Sequence, residues 1–317
     1  MLSLNKMGSL IEKLRCLRPK PAEGLIWNGS TLAVPPLFRP PPHSYAGHHG
    51  PWIEGYFYEF WQRYQATLPS EKLTRIYLPV LWTDYYLRYG IKKRDRRLAR
   101  YLCRNLSLNR NYFTIIQNDD GILEEIPDNV LVFSAGGAGD VPIPLLKGDP
   151  PRAQRAKDIL CSFMGSINTW NDRAGVRSTM YQALSKVPGF HFGSGSYAEF
   201  LDITSRSVFT LCPRGYGRTS FRMYEAMAAG SIPIYLWDDV PWLPYQDVLM
   251  WDEISISIPV GRVRELPDII AGIPAERVAA MQARIRELFE EYFTLEGTCN
   301  QILRYVQQES STNMDRR

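Results

Sequence analysis

The sequence has no run approaching the ~18 consecutive apolar residues of a membrane-spanning helix, and residues 1–20 lack the continuous apolar centre of a signal peptide. A membrane span is therefore not expected. Cysteine is scarce: Cys16, Cys103, Cys161, Cys212 and Cys299 are widely spread, odd in number and without a C-x-x-C pair. That pattern argues against a disulfide framework and a zinc site, and for a reducing, cytoplasmic setting. In that setting the acceptor patterns at Asn28 and Asn105 read as chance matches for glycosylation. Charge of one sign is also weak. The formal net charge of +4 suits an anionic small ligand and is too small to predict nucleic-acid binding. Gly-Lys-Ser/Thr is absent, which excludes a Walker loop, and no internal repeat is visible.

What is present is the composition of a soluble globular protein, 45% hydrophobic and 22% charged over 317 residues, enough for two domains. Residues 35–51 are rich in proline and glycine and read as an irregular surface segment. After them, Trp52–Tyr64 reads as an aromatic helix, Arg75–Trp82 as a buried strand, and Arg96–Leu106 as a basic amphipathic helix. Tyr112–Gln117 and Val130–Phe133 read as short strands, each ending in a polar or glycine-rich turn. Residues 147–157 (KGDPPRAQRAK) form the expected linker. A second alternation follows: strand Ile159–Met164, helix Asp172–Lys186, strand Ser207–Cys212, helix Phe221–Ala229, strand Ile232–Leu236 and a long helix Ala275–Phe293, with a frayed tail after Gln307. Strands alternating with helices predict an α/β protein of two Rossmann-like, doubly wound domains, residues 1–150 and 151–317, facing a cleft. Ligands in such folds lie beyond the carboxyl ends of the strands.

One such end carries the most informative segment, from Ser207 to Gly230. An apolar strand runs into Pro213-Arg214-Gly215-Tyr216-Gly217-Arg218-Thr219, Ser220 is placed to cap the next helix, and Gly230 to end it. A helix N-terminus favours an anion. Gly215 and Gly217 permit close backbone approach, and Arg214, Arg218 and Arg222 offer forked donors to phosphate oxygens. Glu225, three residues beyond Arg222, lies on the same helix face and could accept both ribose hydroxyls. The plainer reading of Arg222 and Glu225 is a surface ion pair. The turn departs from the dinucleotide fingerprint because Ser220 stands where a third glycine would fall.

The run Cys212–Ile234 resembles the signature of the exostosin family of glycosyltransferases (glycosyltransferase family 47). Leu243–Trp251 is similar to a further segment of that family, and Phe163-Met-Gly165-Ser166 with Arg173 and Arg177 resembles its strand–glycine–arginine block. Asp140-Val-Pro-Ile-Pro144 is a weaker match in the amino-terminal half. The resemblance implies a GT-B fold and inverting transfer from a nucleotide-diphosphate sugar such as UDP-xylose, UDP-glucuronate or UDP-N-acetylglucosamine to a glycan or glycoprotein acceptor. No metal or further cofactor is required. It implies a donor site of Gly165, Arg173, Arg177, Arg214, Gly215, Gly217, Arg218, Thr219, Ser220, Arg222 and Glu225, with the first domain on the acceptor side. The missing anchor and stem favour a soluble bacterial or viral type, working in the host cytoplasm if viral.

Inverting transfer needs a carboxylate to take the acceptor proton. Asp84 is the first candidate, with a helix cap as its plain alternative. Asp119 and Asp120 come next, against an Asp-Gly turn, and Glu54 third, against an exposed helix start. His43, His48 and His49 lack a partner spaced for a metal. Trp52, Tyr56, Phe57, Tyr58, Tyr85 and Tyr86 could stack on acceptor sugars, although at helical spacing aromatics usually pack a core. The run Lys93–Arg100 reads as a solvated face. Two other classes stay open. One is an NAD(P)-dependent oxidoreductase with Asp238 and Asp239 placed for a ribose. The other is a non-catalytic sugar-binding protein.

Overall fold

The computed structural model describes residues 26–27, 30–43, 52–65, 67, 73–89, 96–153, 155–167 and 175–314. Two sheets carry the fold, one in each half of the chain. In the first, β1 (Ile26–Trp27), β2 (Thr31–Leu32), β3 (Arg75–Tyr77), β4 (Asn111–Ile116), β5 (Val130–Ser134) and β6 (Val141–Pro142) lie side by side in chain order. All neighbours are parallel except the β1–β2 pair. In the second, β7 (Ile159–Met164), β8 (Phe190–Gly193), β9 (Ser207–Pro213), β10 (Ile232–Trp237) and β11 (Ile256–Pro259) are all parallel, in the order β11-β10-β9-β7-β8. Two α/β units with facing strand ends match the expected architecture in outline, but the first sheet runs in chain order without a reversal and so is not the doubly wound sheet expected there. The order reversal of a doubly wound sheet lies in the second unit, between β7 and β9.

Strand β4 shows how one sequence serves two layers. Phe113 and Ile115 point to one face and Tyr112 and Ile116 to the other, all buried, because side chains alternate along a strand. Helix α1 (Ile53–Tyr64) covers the first face with Phe57, Phe60 and Trp61. Helices α2 (Trp82–Tyr89) and α3 (Arg96–Asn105) cover the second with Trp82, Tyr85, Leu98 and Leu102.

The segment expected as one strand, Arg75–Trp82, is divided. Its pairing stops at Tyr77, and Trp82 already belongs to α2, because Pro79 has no N–H to continue a ladder.

In the second unit α4 is Val176–Leu184, α5 Tyr197–Arg206, α6 Phe221–Ala228, α7 Leu266–Ala271 and α8 Ala275–Tyr292. The helix expected from Asp172 begins at Val176, and residues 168–174 lie outside the described residues. The tail does not fray at Gln307: α9 runs Leu295–Met314. It crosses back to the first unit, where Tyr305 meets Phe133 edge-on at 5.4 Å, so one apolar core spans both halves. Burial of such rings is the largest stabilising contribution here, about 1.5–3 kcal/mol per side chain.

Candidate functional site

The strand ends of the two sheets meet through three turns. Turn 117–121 follows β4, turn 135–140 follows β5, and loop 214–220 follows β9. Arg218 donates its backbone N–H to Gly136 O at 3.1 Å and its Nη1 to Gly137 O at 2.7 Å. Tyr216 Oη donates to Asp120 Oδ2 at 3.2 Å, and Trp242 Nε1 donates to Ser134 O at 3.1 Å. Gly217 is packed so closely that a methyl there would overlap Gly136 O and the Asp119 carboxylate. Glycine is required at that position for this close approach.

This packing corrects one expectation. Arg214 and Arg218 do not stand open to an anion. Arg214 donates to Asp238 Oδ1 at 2.5 Å, Asp239 Oδ1 at 3.3 Å, Gly217 O at 2.9 Å and Tyr216 O at 3.0 Å. Arg218 Nε donates to Asp239 Oδ2 at 2.8 Å. Burial works to raise the Asp239 carboxyl, but hydrogen bonds from Arg218 and the Val240 amide outweigh it, so its pKa lies below the ordinary value. Loop amides are used as well: Arg214 N donates to Leu236 O and Gly215 N to Thr219 O, both at 2.9 Å. The loop is thus a braced support, and its pair Asp238–Asp239 is committed to arginines. That removes the feature favouring the dinucleotide reading.

Beside the loop lies the crevice where strand order reverses, the usual place for a ligand in such a sheet. Its floor is Gly165, which ends β7 with φ 155° and leaves no room for a methyl beside the Arg222 guanidinium. Arg222 Nη2 donates to Met164 O at 2.7 Å, and the guanidinium lies 4.8 Å from the Phe163 ring centre and 5.8 Å from that of Phe200. Its Nε is buried with no hydrogen-bond partner, a cost that an added acceptor would relieve. Burial pulls the guanidinium pKa down, with Cys212 and Glu225 acting in the opposite sense. Ser220 caps α6, its Oγ accepting from Arg222 N at 3.3 Å. Buried Thr219 sits beneath it with its hydroxyl against that of Tyr224.

One helical turn on, α6 lines a cavity of about 430 Å³. Phe221, Tyr224 and Glu225 form one wall, Tyr197 at the start of α5 a second, and residues 145–151 a third. Glu225 is 8% exposed. Its Oε1 lies 2.8 Å from Lys147 Nζ, so its ion-pair partner is Lys147 and not Arg222. The ammonium sits 5.0 Å from the Tyr197 ring centre and 5.6 Å from that of Phe221. Burial and the neighbouring Glu225 carboxylate push the Tyr197 hydroxyl up to about 12. A carboxylate beside two aromatic rings suits a ribose and a flat base, in a volume typical of ligand pockets; the Tyr197 ring also stacks on that of Phe200 at 5.8 Å. Sequence reasoning missed Lys147 and Tyr197. The first lay in the presumed linker, and the second begins a helix announced only by the capping box Ser196–Glu199.

The four candidate bases separate into two kinds. Glu54 is not an exposed helix start: it is 1% exposed. Its Oε1 accepts from Thr83 Oγ1 at 2.5 Å and Gln117 N at 2.7 Å, and its Oε2 from Thr83 N at 2.9 Å. Burial outweighs those bonds and raises its pKa to about 8. Asp84 is likewise 1% exposed. It lies in the first turn of α2, with Oδ1 accepting from His43 N at 2.7 Å and Trp52 Nε1 at 3.0 Å; burial raises its pKa too. Both carboxyls tie backbone segments together and are closed to an acceptor in this structure. Asp119 and Asp120 are the pair brought to the second unit, against Gly217 and Tyr216, in the turn where Asp120 N donates to Asn118 Oδ1 at 2.8 Å.

The other expected residues are scattered in outcome. Arg177 lies at the crevice mouth, Nη1 donating to Ser166 O at 3.1 Å. Gly215 has room for a methyl only against Thr219 O. Arg173, His48 and His49 lie outside the described residues. Among the described residues no cluster of three or more metal-ligating side chains occurs, and no helix is long and apolar enough to cross a membrane. Phe57, Tyr85 and Tyr86 are core residues.

Residues 138–273 match the model of the exostosin GT47 domain. A "probable glucuronosyltransferase" of Oryza sativa subsp. japonica, GUT1, is 31% identical over 145 residues, covering 44% of this chain and 34% of that protein. The "probable beta-1,4-xylosyltransferase IRX10" of Arabidopsis thaliana is 31% identical over 108 residues, covering 34% and 26%. The matched stretch thus spans about a third or less of these relatives' length. Among solved structures, the pneumococcal O-GlcNAc transferase GtfA in complex with UDP and GlcNAc aligns with a TM-score of 0.37 at 11% identity, covering 75% of this chain and 53% of that one.

Proposed function

We propose that the protein is a glycosyltransferase that moves a sugar from a UDP-sugar to a glycan hydroxyl with inversion, a reading supported by the match of residues 138–273 to the exostosin GT47 domain. Xylose, glucuronate and N-acetylglucosamine donors all fit the reading. The observation that carries it is Glu225, a nearly buried carboxylate lining a cavity together with Tyr197 and Phe221, at the edge of the crevice where β7 and β9 diverge. Glu225 takes the ribose hydroxyls, and the base lies against Tyr197 or Phe221. The diphosphate lies toward Ser220 and Arg222, whose unpaired Nε and helix N-terminus stabilise the leaving group. Transfer also requires a base on the acceptor side, and the turn bearing Asp119 and Asp120 is the assignment that reaches the donor loop.

A thermal-shift screen with UDP, the three UDP-sugars and NADH tests this, followed by assay of UDP release with glycan acceptors. UDP and one UDP-sugar raise the melting temperature, by about 2.7 kcal/mol of stabilisation at 100 times Kd, and Arg222→Ala abolishes the shift. A response to NADH alone overturns the reading in favour of an oxidoreductase. Glycan binding without UDP release leaves a sugar-binding protein.

A further inference from the structure

Among the described residues, Arg214 and Arg218 are committed to Asp238, Asp239 and carbonyl oxygens and Arg177 donates to Ser166 O, so few cations of the expected donor set are left for a phosphate. A diphosphate carries two to three negative charges, and Arg222 is the one arginine of the three with a buried donor atom left unpaired. Lys147 supplies a second cation from outside the expected motif. Its ammonium already lies inside the cavity, 2.8 Å from Glu225 Oε1 and 5.6 Å from the ring of Phe221, the first residue of α6. It therefore sits beside the carboxylate assigned to the ribose and against the side chain of the first residue of α6.

The chain holds it there by design of its neighbours. Gly148 has φ 121°, a conformation costly for any side chain. Asp149 Oδ1 accepts from Leu295 N at 2.8 Å, which pins the segment to the start of α9. The Lys147 side chain is 28% exposed and that of Glu225 10%, so the cation retains the freedom to turn while its backbone is fixed.

Resting on the nucleotide reading above, we propose that Lys147 is a diphosphate-binding residue of the donor site, stored on Glu225 while the site is empty. Ribose hydroxyls donate to Glu225 and relieve it of its cation. The ammonium then turns from the carboxylate to a phosphate oxygen, staying over the aromatic walls. The carboxylate exchanges its cation for two hydroxyl donors while the ammonium gains a phosphate oxygen, so each ion in the half-buried pocket keeps a hydrogen-bonded partner, without which it would be expensive. The exchange makes Lys147 specific for the phosphate part of the donor and indifferent to the nucleoside.

Isothermal titration of wild type, Lys147→Met and Lys147→Arg with uridine and with UDP separates the roles. Lys147→Met is expected to weaken UDP about 10- to 100-fold, the range of one charged hydrogen bond. Uridine binds it as tightly as wild type or more tightly, and Lys147→Arg recovers most of the UDP affinity. Equal weakening of uridine and UDP by Lys147→Met overturns the proposal, because the lysine then acts only by orienting Glu225. Equal tightening also overturns it, because the lysine is then an obstruction. Wild type that binds neither ligand overturns the nucleotide reading itself, and the assignment with it.

Discussion

Glu54 should make the folded protein lose stability as pH rises through neutrality. In the unfolded chain its carboxyl titrates near 4.5 and in the folded protein near 8. Between those values the folded state holds a proton that the unfolded state has released. The stabilisation is whole below about pH 4.5 and is lost as pH rises through about 8. Each unit of pH within the window is worth about 1.4 kcal/mol, so the fall between pH 5.5 and 7.5 is about 3 kcal/mol. Asp84, also raised by burial, adds in the same direction. Carboxyls held low by partners, Asp158, Glu199, Asp239 and Glu265, titrate below this window. Glu54→Gln is neutral at every pH. Its amide oxygen can still accept from Thr83 Oγ1 and Gln117 N, but its NH₂ faces the Thr83 N–H, donor to donor, costing about 1–3 kcal/mol. Urea unfolding at half-unit steps from pH 5 to 8.5 should show wild type falling more steeply than the variant, which keeps Asp84 and, at the top of the range, the opposing titration of Lys157, drawn down to about 8 by burial, so that the gap closes toward pH 8. Parallel curves, or a wild type that gains stability across the window, would refute the assignment of a buried neutral acid.

Two further outcomes follow from the meeting of the units. Gly217→Ala drives a methyl into Gly136 O and the Asp119 carboxylate and should cost about 1–3 kcal/mol in urea unfolding. Gly261→Ala, with nothing within 4 Å, is the matched control that should leave stability unchanged. Asp119→Asn or Asp120→Asn should lower transfer about 10²- to 10⁴-fold with UDP affinity kept. Wild-type turnover in both variants would move the base elsewhere.

The donor-side strand–helix–strand of the second half is legible because β9 and β10 are almost wholly buried and Ser220 caps α6; β8, α5, β11 and α7, shorter or more exposed, are not. Ser207–Pro213, α6 and Ile232–Trp237 lie within a residue or so of their expected limits. Where an apolar run could be strand or helix, periodicity could not decide, and Arg75–Trp82 was read through Pro79 into what is α2. Helix α9 was missed because its buried face needs α1 of the other unit, a partner invisible locally. In the site, Ser220, Arg222 and Glu225 were readable as one strand–turn–helix pattern. The capture of Arg214 and Arg218 by Asp238 and Asp239 was not, since those pairs are 21 to 25 residues apart in sequence. Lys147 was unreadable for the same reason: a polar, proline-flanked segment signals a linker, and only folding brings it over α6.

The most direct measurement is a crystal structure of the protein with UDP. Both ribose hydroxyls should lie within hydrogen-bond distance of the Glu225 carboxylate, the base against Tyr197 or Phe221, and the diphosphate between Ser220, Arg222 and Lys147. UDP bound away from α6, with Glu225 touching no part of it, would contradict the account.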